Sequence, residues 1–270
     1  MTDAVTLARM GLLDALEALE RHLGALVVIG AQAVYLHTGA TQIALAEFTT
    51  DGDIAVDPSL LSSDPLMEGA MTAAGFTPDP RGSAVGSWIS PRGVPVDLMV
   101  PEALAGSGRR GVRVPPHSRR SMRRARGIEA SMVDNSPMVI GSLEPSRDGR
   151  AFEVSVAGPA ALLVAKLHKL HDRVDSPSRR DNKDAHDVYR LLQAIETPTL
   201  AASLESLLHT HVSEAVTREA LVHLRQLFGD GPDALGSSMA GAAEELVGDP
   251  AGVSASVALL SQDLLTELGR

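Results

Sequence analysis

Two aspartates at alternate positions of a short apolar segment restrict the folding of this chain more than any other feature. Residues 49–56 read Thr-Thr-Asp-Gly-Asp-Ile-Ala-Val, which is typical of a β-strand. Because side chains alternate across a strand, Asp51 and Asp53 would leave one face while Ile54 and Val56 are buried on the other. Neighbouring carboxylates resist being ionised together unless a positive group lies between them. The segment therefore indicates either a divalent-cation site or a pair of solvated acids at a strand end.

A third acid occupies the apolar segment from Gly93 to Val100, which also predicts a strand. Asp97 is alone there, and a buried, unpaired carboxylate would cost several kcal/mol. A metal shared with Asp51 and Asp53 would compensate the charge if the two strands were neighbours. A capped position at the surface is the alternative.

A strand followed by a glycine and a helix forms a possible phosphate-binding corner. The apolar run from Ala25 to Ile29 is bounded by glycines and predicts a buried strand. Gly30 then opens a turn into a predicted helix over residues 32–37. Backbone N–H groups at such a helix start can hold a phosphate, although many α/β proteins turn in this way without binding one.

The periodicity of the apolar residues divides the chain into two predicted domains. Strands are predicted over 76–88, 138–142 and 152–156, and helices over 3–23 and 59–75, with a break of the second helix near Pro65 as an alternative. From Pro159 onward the period is 3.6. We therefore predict an α+β fold. A mixed β-sheet with flanking helices, residues 1–157, would be followed by a C-terminal α-helical domain, residues 158–270.

Charged residues lie inside the first two helices of the predicted helical domain. Lys166 falls on or beside the apolar stripe, so its amine either extends to solvent or is directed at phosphates. Arg173 adds positive charge at the end of the same helix. Asp184 and Asp187 stand in the first turns of the next helix, where acids are favourable. Alternatively, one of them positions Lys166 or an arginine.

Positive charge is concentrated in one acid-free segment of an otherwise acidic chain. The formal net charge of −10 argues against a protein that coats nucleic acid with its whole surface. The arginine tract comprises Arg109, Arg110, Arg113, Arg119, Arg120, Arg123, Arg124 and Arg126. Such a tract can hold a polyanion, or it can be a flexible solvated loop. A short basic helix is predicted from Ser118 to Arg126.

Composition restricts the compartment in which the protein is expected and the metal ligands that it can offer. The chain has no cysteine, which excludes disulfides and thiolate metal ligands. No apolar run is long enough for a membrane span, and the N-terminus lacks the pattern of a signal peptide. A cytoplasmic protein without a membrane span is therefore expected.

The order of these motifs resembles the nucleotidyltransferase superfamily that includes DNA polymerase beta. The shared pattern is a helix opened by Gly30, a strand carrying Asp51 and Asp53, and a later strand carrying Asp97. Residues 162–170 and the segment 183–192, Lys-Asp-Ala-His-Asp-Val-Tyr-Arg-Leu-Leu, look like the AbiEii-type and MenT-like toxins of bacterial toxin–antitoxin pairs. The resemblance covers residues 26–192.

The resemblance implies a magnesium-dependent enzyme that transfers NMP from an NTP to RNA, preferably the 3′ end of tRNA, and that is restrained by an antitoxin protein. It implies that Asp51, Asp53 and Asp97 are catalytic and bind two Mg²⁺ ions. It also implies that Gly30 and Ala31 approach the nucleotide.

The second domain has an implied role as well. The resemblance makes Lys166 and Asp187 catalytic, and it assigns nucleotide binding to Lys166, Arg173 and Asp184. The arginine tract would grip the RNA acceptor.

Three departures from the family pattern keep other functions open. Ala31 replaces a usual glycine or serine, Glu47 stands where arginine is frequent, and Gly52 replaces an aliphatic residue. One alternative is therefore a catalytically inactive nucleotide- or RNA-binding module. Another keeps the chemistry and changes the acceptor to a protein or a small molecule.

Overall fold

The computed structural model describes residues 4–39, 51–80, 85–176, 178, 180–246 and 248–269. These residues form two compact units. Within the described residues, the first unit contains those up to Gln32 and from Asp51 to Ala157. The second contains Ala33–Gly39 and those from Gly158 onward. Glu47 and the two threonines before Asp51 lie outside the described residues.

The first unit is built on a mixed sheet of eight described strands, which confirms the predicted α+β class. Their order is β3-β4-β5-β2-β1-β8-β7, and β6 pairs with β5 beside this path. The strands are β1 Leu26–Ile29, β2 Gly52–Val56, β3 Thr77–Pro78, β4 Ser87–Ile89, β5 Pro95–Pro101, β6 Arg123–Ala125, β7 Asn135–Gly141 and β8 Ala151–Ala157. The central β1 is antiparallel to β2 and parallel to β8, while β2 is parallel to β5.

Helices flank this sheet and make up the second unit. The helices are α1 Ala4–Ala18, α2 Gly30–Thr38, α3 Met67–Ala73, α4 Pro159–His171, α5 Asn182–Ala194, α6 Thr197–Leu208, α7 Glu214–Leu224, α8 Leu235–Ala242 and α9 Pro250–Glu267. Short 3-10 turns cover Glu20–Ala25, Glu102–Leu104 and Glu129–Met132, and a π turn over Arg225–Gly229 extends α7. None of the described helices has the length and apolarity needed to cross a membrane.

One face of the sheet is covered by α1, and the other carries the acids. Leu12 and Leu16 of α1 are fully buried, and α1 packs on β2, β5 and β8. A Cβ added to Gly52 would lie 3.6 Å from Leu12, so the even-numbered side of β2 faces α1. Because side chains alternate along a strand, Asp53 projects from the opposite face.

Two local predictions are wrong. The helix expected over 59–75 is confined to α3, since Pro58 and Pro65 interrupt the segment and Asp57 accepts hydrogen bonds from Ser59 in a turn. The basic helix expected up to Arg126 is absent from this fully described segment. Its last residues instead form the parallel strand β6 against β5.

Candidate active site

Two aspartates from distant parts of the chain are register partners at the centre of the sheet. In the parallel pair β2 and β5, the Cα of Asp53 is aligned with that of Asp97, and Gly52 with Val96. Register partners on neighbouring strands project to the same face, so the two carboxylates stand side by side opposite α1. Asp51 shares the parity of Asp53 and immediately precedes β2.

The glycine corner lies directly against this pair. β1 pairs Ile29 with Asp53, and α2 then begins at Gly30, which has φ +74°. A Cβ at Gly30 would lie 2.8 Å from the Cβ of Asp53 and would overlap its Oδ2. The backbone therefore approaches the acid as closely as it does only because no side chain intervenes. Ala31, next in α2, is buried and presents a methyl group where the family pattern has glycine or serine.

A buried polar chain ties α1 to this corner and to the first acid. Arg9 of α1 donates from Nε to Gln32 Oε1 at 2.8 Å, and from Nη1 to the carbonyl of Gly141 at 3.1 Å. The Gln32 amide in turn donates to the backbone carbonyl of Asp51 at 3.4 Å. Because Gln32 lies in the first turn of α2, these bonds fix the start of the helix relative to the acidic segment. Sequence reasoning missed both residues.

The third acid has its own partners. Ser87 Oγ donates to Asp97 Oδ1 at 2.6 Å, and Arg123 Nη2 donates to Oδ2 at 2.7 Å. Ser87 is the antiparallel register partner of Asp97 on β4, and Arg123 is supplied by β6. A cation of the protein thus compensates the charge for which the sequence predicted a metal. No local sequence signal distinguished Arg123 from the rest of the arginine tract.

The donors at this face suit a hard divalent cation. They are carboxylate oxygens, which Mg²⁺ prefers. In addition, Gly30 itself places no side chain against Asp53. Within the described residues, no three acidic or histidine side chains already stand close enough together to enclose a metal ion. The residues therefore fit Mg²⁺ by donor type and by the pairing of Asp53 with Asp97, while a complete ligand set requires some side-chain rearrangement.

The arginine tract divides into paired and exposed members. Arg123 pairs with Asp97, while Arg124 and Arg126 lie 3.6 and 3.1 Å from Glu102. The other five are exposed and have no acidic partner among the described residues: Arg109, Arg110, Arg113, Arg119 and Arg120. All belong to the first unit, as do Asp53 and Asp97.

In the second unit, Lys166 is the centre of a buried ion network between α4 and α5. Its Nζ donates to Asp184 Oδ1 at 2.8 Å. It also forms an ion pair with Asp187, with 2.5 Å between Nζ and Oδ2. Lys169 and Arg173 contact Asp184 at 3.0 and 3.1 Å. The alternative in which the Lys166 amine extends to solvent is wrong, because its side chain is only 5% exposed.

Electrostatics keep this network charged. Burial alone would lower the pKa of Lys166, but the adjacent Asp184 and Asp187 carboxylates hold that pKa well above its ordinary value. Burial would raise the pKa of Asp184, but Lys166 and Lys169 hold it well below its ordinary range. Burial, followed by the charge of Asp187, raises the pKa of the Tyr35 hydroxyl.

Arg190 is a buried arginine whose contacts sequence reasoning missed. It is 2% exposed on α5, and its Nη2 donates to Thr38 Oγ1 at 3.1 Å. Its guanidinium lies 4.8 Å from the centre of the Tyr35 ring. These contacts hold the C-terminal half of α2 within the second unit. A single arginine in the apolar stripe of α5 was the available signal.

Aspartates paired across neighbouring parallel strands, beside a glycine-led helix, form a site suited to metal-assisted phosphoryl or nucleotidyl transfer. The sequence profile of the nucleotidyltransferase family matches residues 9–213, about three quarters of the chain. The chain belongs to this family and is a nucleotidyltransferase. Neither the curated proteins nor the solved structures gave a significant match.

Proposed function

We propose that this nucleotidyltransferase transfers NMP from an NTP to RNA, with the 3′ end of tRNA as the preferred acceptor. Family membership supports nucleotidyl transfer in general. The choice of RNA rests on one observation, the five exposed arginines of the tract in the same unit as Asp53 and Asp97. Such guanidinium groups bind phosphates of a polynucleotide without reading its sequence.

The proposed chemistry is an in-line attack of the acceptor hydroxyl on the α-phosphorus of the NTP. The new O–P bond forms as the bond to pyrophosphate breaks, and Asp97 accepts the hydroxyl proton. Two Mg²⁺ ions held by Asp51, Asp53 and Asp97 would stabilise negative charge on the attacking and leaving oxygens. The backbone N–H groups after Gly30 would orient the triphosphate at the start of α2.

The resemblance also assigns nucleotide contacts to charged residues of α4 and α5. The resemblance assigns Lys166 and Asp187 to catalysis, but their burial favours a positioning role in which Asp184 and Asp187 hold α4 against α5. Arg173, with a side chain 23% exposed, and Lys169, 35% exposed, are the cations of the network that solvent reaches. We therefore assign phosphate contact to Arg173.

The site chemistry is tested by incubating the protein with labelled NTPs, Mg²⁺ and total tRNA. Asp53→Asn and Asp97→Asn should each reduce labelling of tRNA at least a hundredfold. The matched control is Asp57→Asn, which changes an acid just beyond the other end of β2 and keeps its turn. Equal labelling by wild type and Asp53→Asn would exclude this site and favour the inactive binding module.

The acceptor is tested separately with a triple variant, Arg109→Gln/Arg113→Gln/Arg120→Gln. Labelling of tRNA should be lost while NTP binding is unchanged. The control triple, Arg21→Gln/Arg147→Gln/Arg218→Gln, removes the same charge from exposed positions outside the tract. Undiminished labelling of tRNA by the tract variant would show that these arginines do not hold the acceptor. Transfer of label to protein or to an aminoglycoside instead of tRNA would select the alternative acceptors.

We further propose that the protein is the toxin of a toxin–antitoxin pair and acts in the cytoplasm. The support is the resemblance of residues 162–170 and 183–192 to AbiEii-type toxins; these segments provide the facing charges of α4 and α5. Expression in a bacterial host should arrest growth, and Asp53→Asn should abolish the arrest. Growth arrest by both wild type and Asp53→Asn would show that toxicity does not depend on nucleotidyl transfer.

A further inference from the structure

Both carboxylate oxygens of Asp97 are already engaged. Oδ1 accepts from Ser87 Oγ at 2.6 Å, and Oδ2 accepts from Arg123 Nη2 at 2.7 Å and from its Nε at 3.3 Å. The two charged side chains are 27% and 26% exposed, so solvent reaches the pair. A metal that used Asp97 would meet this guanidinium at the same carboxylate.

The backbone of Arg123 is fixed, which places its side chain reproducibly. The parallel pairing of β6 with β5 aligns Arg123 with Met99, two residues beyond Asp97 on the same face. Gly86, at φ +69°, approaches so closely that a Cβ there would overlap the backbone nitrogen of Arg123. Flanking backbone bonds from Val112 to Met122 and from Arg124 to Arg110 secure the same strand. Arg123 is thus built into the site face.

We propose that Arg123 is an internal counterion that competes with the divalent metal for Asp97. This inference rests on the proposed function, because it takes Asp97 as a metal ligand. Without metal, Arg123 relieves the repulsion between the Asp53 and Asp97 carboxylates. A metal ion binds carboxylate oxygen at about 2.0–2.1 Å, so the ion and the guanidinium would repel each other across one small group. Ion pairs of this exposure are weak, which allows the metal to displace the arginine.

Competition is measured as Mn²⁺ affinity of the full chain by titration calorimetry, without nucleotide or RNA. Arg123→Gln should tighten Mn²⁺ binding about fivefold, because the metal no longer breaks an ion pair. Arg120→Gln, which removes an exposed arginine of the same tract without an acidic partner among the described residues, should leave the affinity within about twofold of wild type. Asp97→Asn should weaken binding about tenfold or more.

The outcomes separate this inference from the proposed metal site. If Asp97→Asn weakens Mn²⁺ binding and Arg123→Gln leaves it unchanged, the competition is disproved and the site stands. In that case Arg123 is a permanent clamp between β5 and β6. If Asp97→Asn has no effect, the metal site itself is wrong. Equal tightening in Arg120→Gln would reduce the effect to overall charge and overturn the role of Arg123.

A second measurement follows the guanidinium in the wild-type protein. In wild type, the Arg123 Nε–H resonance, assigned by its loss in Arg123→Lys, should shift and exchange faster with water when Mg²⁺ is added to saturation. An Nε–H signal that is unchanged in position and exchange rate at saturating Mg²⁺ would show that the guanidinium stays on Asp97, contrary to the proposal.

Discussion

At the scale of single residues, Gly30 has the least freedom to change. Its positive φ disfavours any side chain, and the added Cβ would meet both the carboxylate and the Cβ of Asp53. Rotating the carboxylate relieves only the first contact. Glycine is therefore required at this position for two reasons: the left-handed backbone conformation and the close approach of Asp53.

We expect Gly30→Ala to reduce nucleotidyl transfer at least tenfold, because the shift of Asp53 or of the α2 start misplaces the site. The left-handed backbone adds a loss of about 1–2 kcal/mol in the free energy of unfolding. Labelling assays and urea denaturation measure the two effects. Gly93→Ala is the control, since Gly93 has φ +78° with no atom within 4 Å of the added Cβ. Full activity in both variants would show that the close approach is unimportant.

The acidic face of β2 could be predicted from the sequence, but the partner of Asp97 could not. The Asp-x-Asp pattern indicated the acidic face because alternation along one strand is a local property. The pairing of Asp97 with Arg123 depends on β6, a strand of three residues whose partner is distant in the chain. Neither apolar periodicity nor charge count carries that information.

At the scale of elements, the contact between α4 and α5 is organised by one buried cation and two buried acids. Breaking such a cluster on one side leaves charge without compensation, which costs far more than an exposed ion pair contributes. Lys166 and Lys169 both contact Asp184 but differ in exposure, and they provide an internal comparison.

Lys166→Met should lower the free energy of unfolding by about 3–5 kcal/mol, because Asp184 and Asp187 remain buried without Lys166. Lys169→Met should lower it by less than about 1 kcal/mol. Urea denaturation followed by circular dichroism measures both. Adding Asp187→Asn to Lys166→Met should recover part of the loss. Equal losses in the two lysine variants would contradict a dominant role for the buried pair.

A histidine cluster between α4 and α7 predicts acid sensitivity of the second unit. The rings of His171 and His223 stack at 3.7 Å, and His168 meets His223 edge-on at 5.2 Å. Burial, with the charges of His171 and His168, lowers the pKa of His223 from 6.5 to about 4, although Glu219 opposes the shift. Folding therefore favours the neutral ring.

Because the pKa of His223 is lower in the folded state, its protonation favours unfolding. The free energy of unfolding should fall as pH decreases from about 6.5 to about 4, and this group should have no effect at higher pH. His223→Phe should show a shallower decline over that range. Urea denaturation at a series of pH values measures the slopes, and identical slopes would assign the sensitivity to other groups.

Elements with strong periodicity were predicted best. The helical period predicted from Pro159 onward is confirmed by α4–α9, because a repeating apolar stripe reports burial directly. The order of the strands could not be predicted from the sequence, because every parallel pairing here joins segments separated by other elements. For that reason alone, the adjacency of Asp53 and Asp97 was no more than a hypothesis until the sheet was seen.

At the scale of the whole molecule, a net charge of −10 coexists with an exposed positive patch. Overall repulsion weakens the approach of RNA, so any binding must come from the arginine tract and must be strongly screened by salt. The dependence of affinity on salt then reports how many phosphates the tract binds.

RNA affinity should fall steeply with salt for wild type. In the Arg109→Gln/Arg113→Gln/Arg120→Gln variant, the slope of log K against log salt should be smaller in magnitude by about 2, from about 0.7 for each phosphate that the variant no longer neutralises. Fluorescence anisotropy with a labelled single-stranded RNA measures the slope. The control triple at Arg21, Arg147 and Arg218 should match wild type; an equal reduction there would indicate a general charge effect.

The boundary between the two units was only partly foreseeable. A change of periodicity near Gly158 marks where the second unit resumes, but residues 33–39 also belong to that unit. Their assignment follows from contacts such as Thr38 with Arg190, which join parts of the chain far apart in sequence. Local pattern alone does not detect a helix divided in this way.

The alignment of β2 with β5 has a consequence for relatives of this chain. Slippage by one residue would turn Asp97 toward α1, and slippage by two would move it about 6.6 Å along the strand. Either change would keep the fold but would separate Asp97 from Asp53 and so abolish the proposed metal site. An inactive relative could therefore keep all three aspartates and be recognised by a one- or two-residue indel inside β2 or β5 that shifts this register.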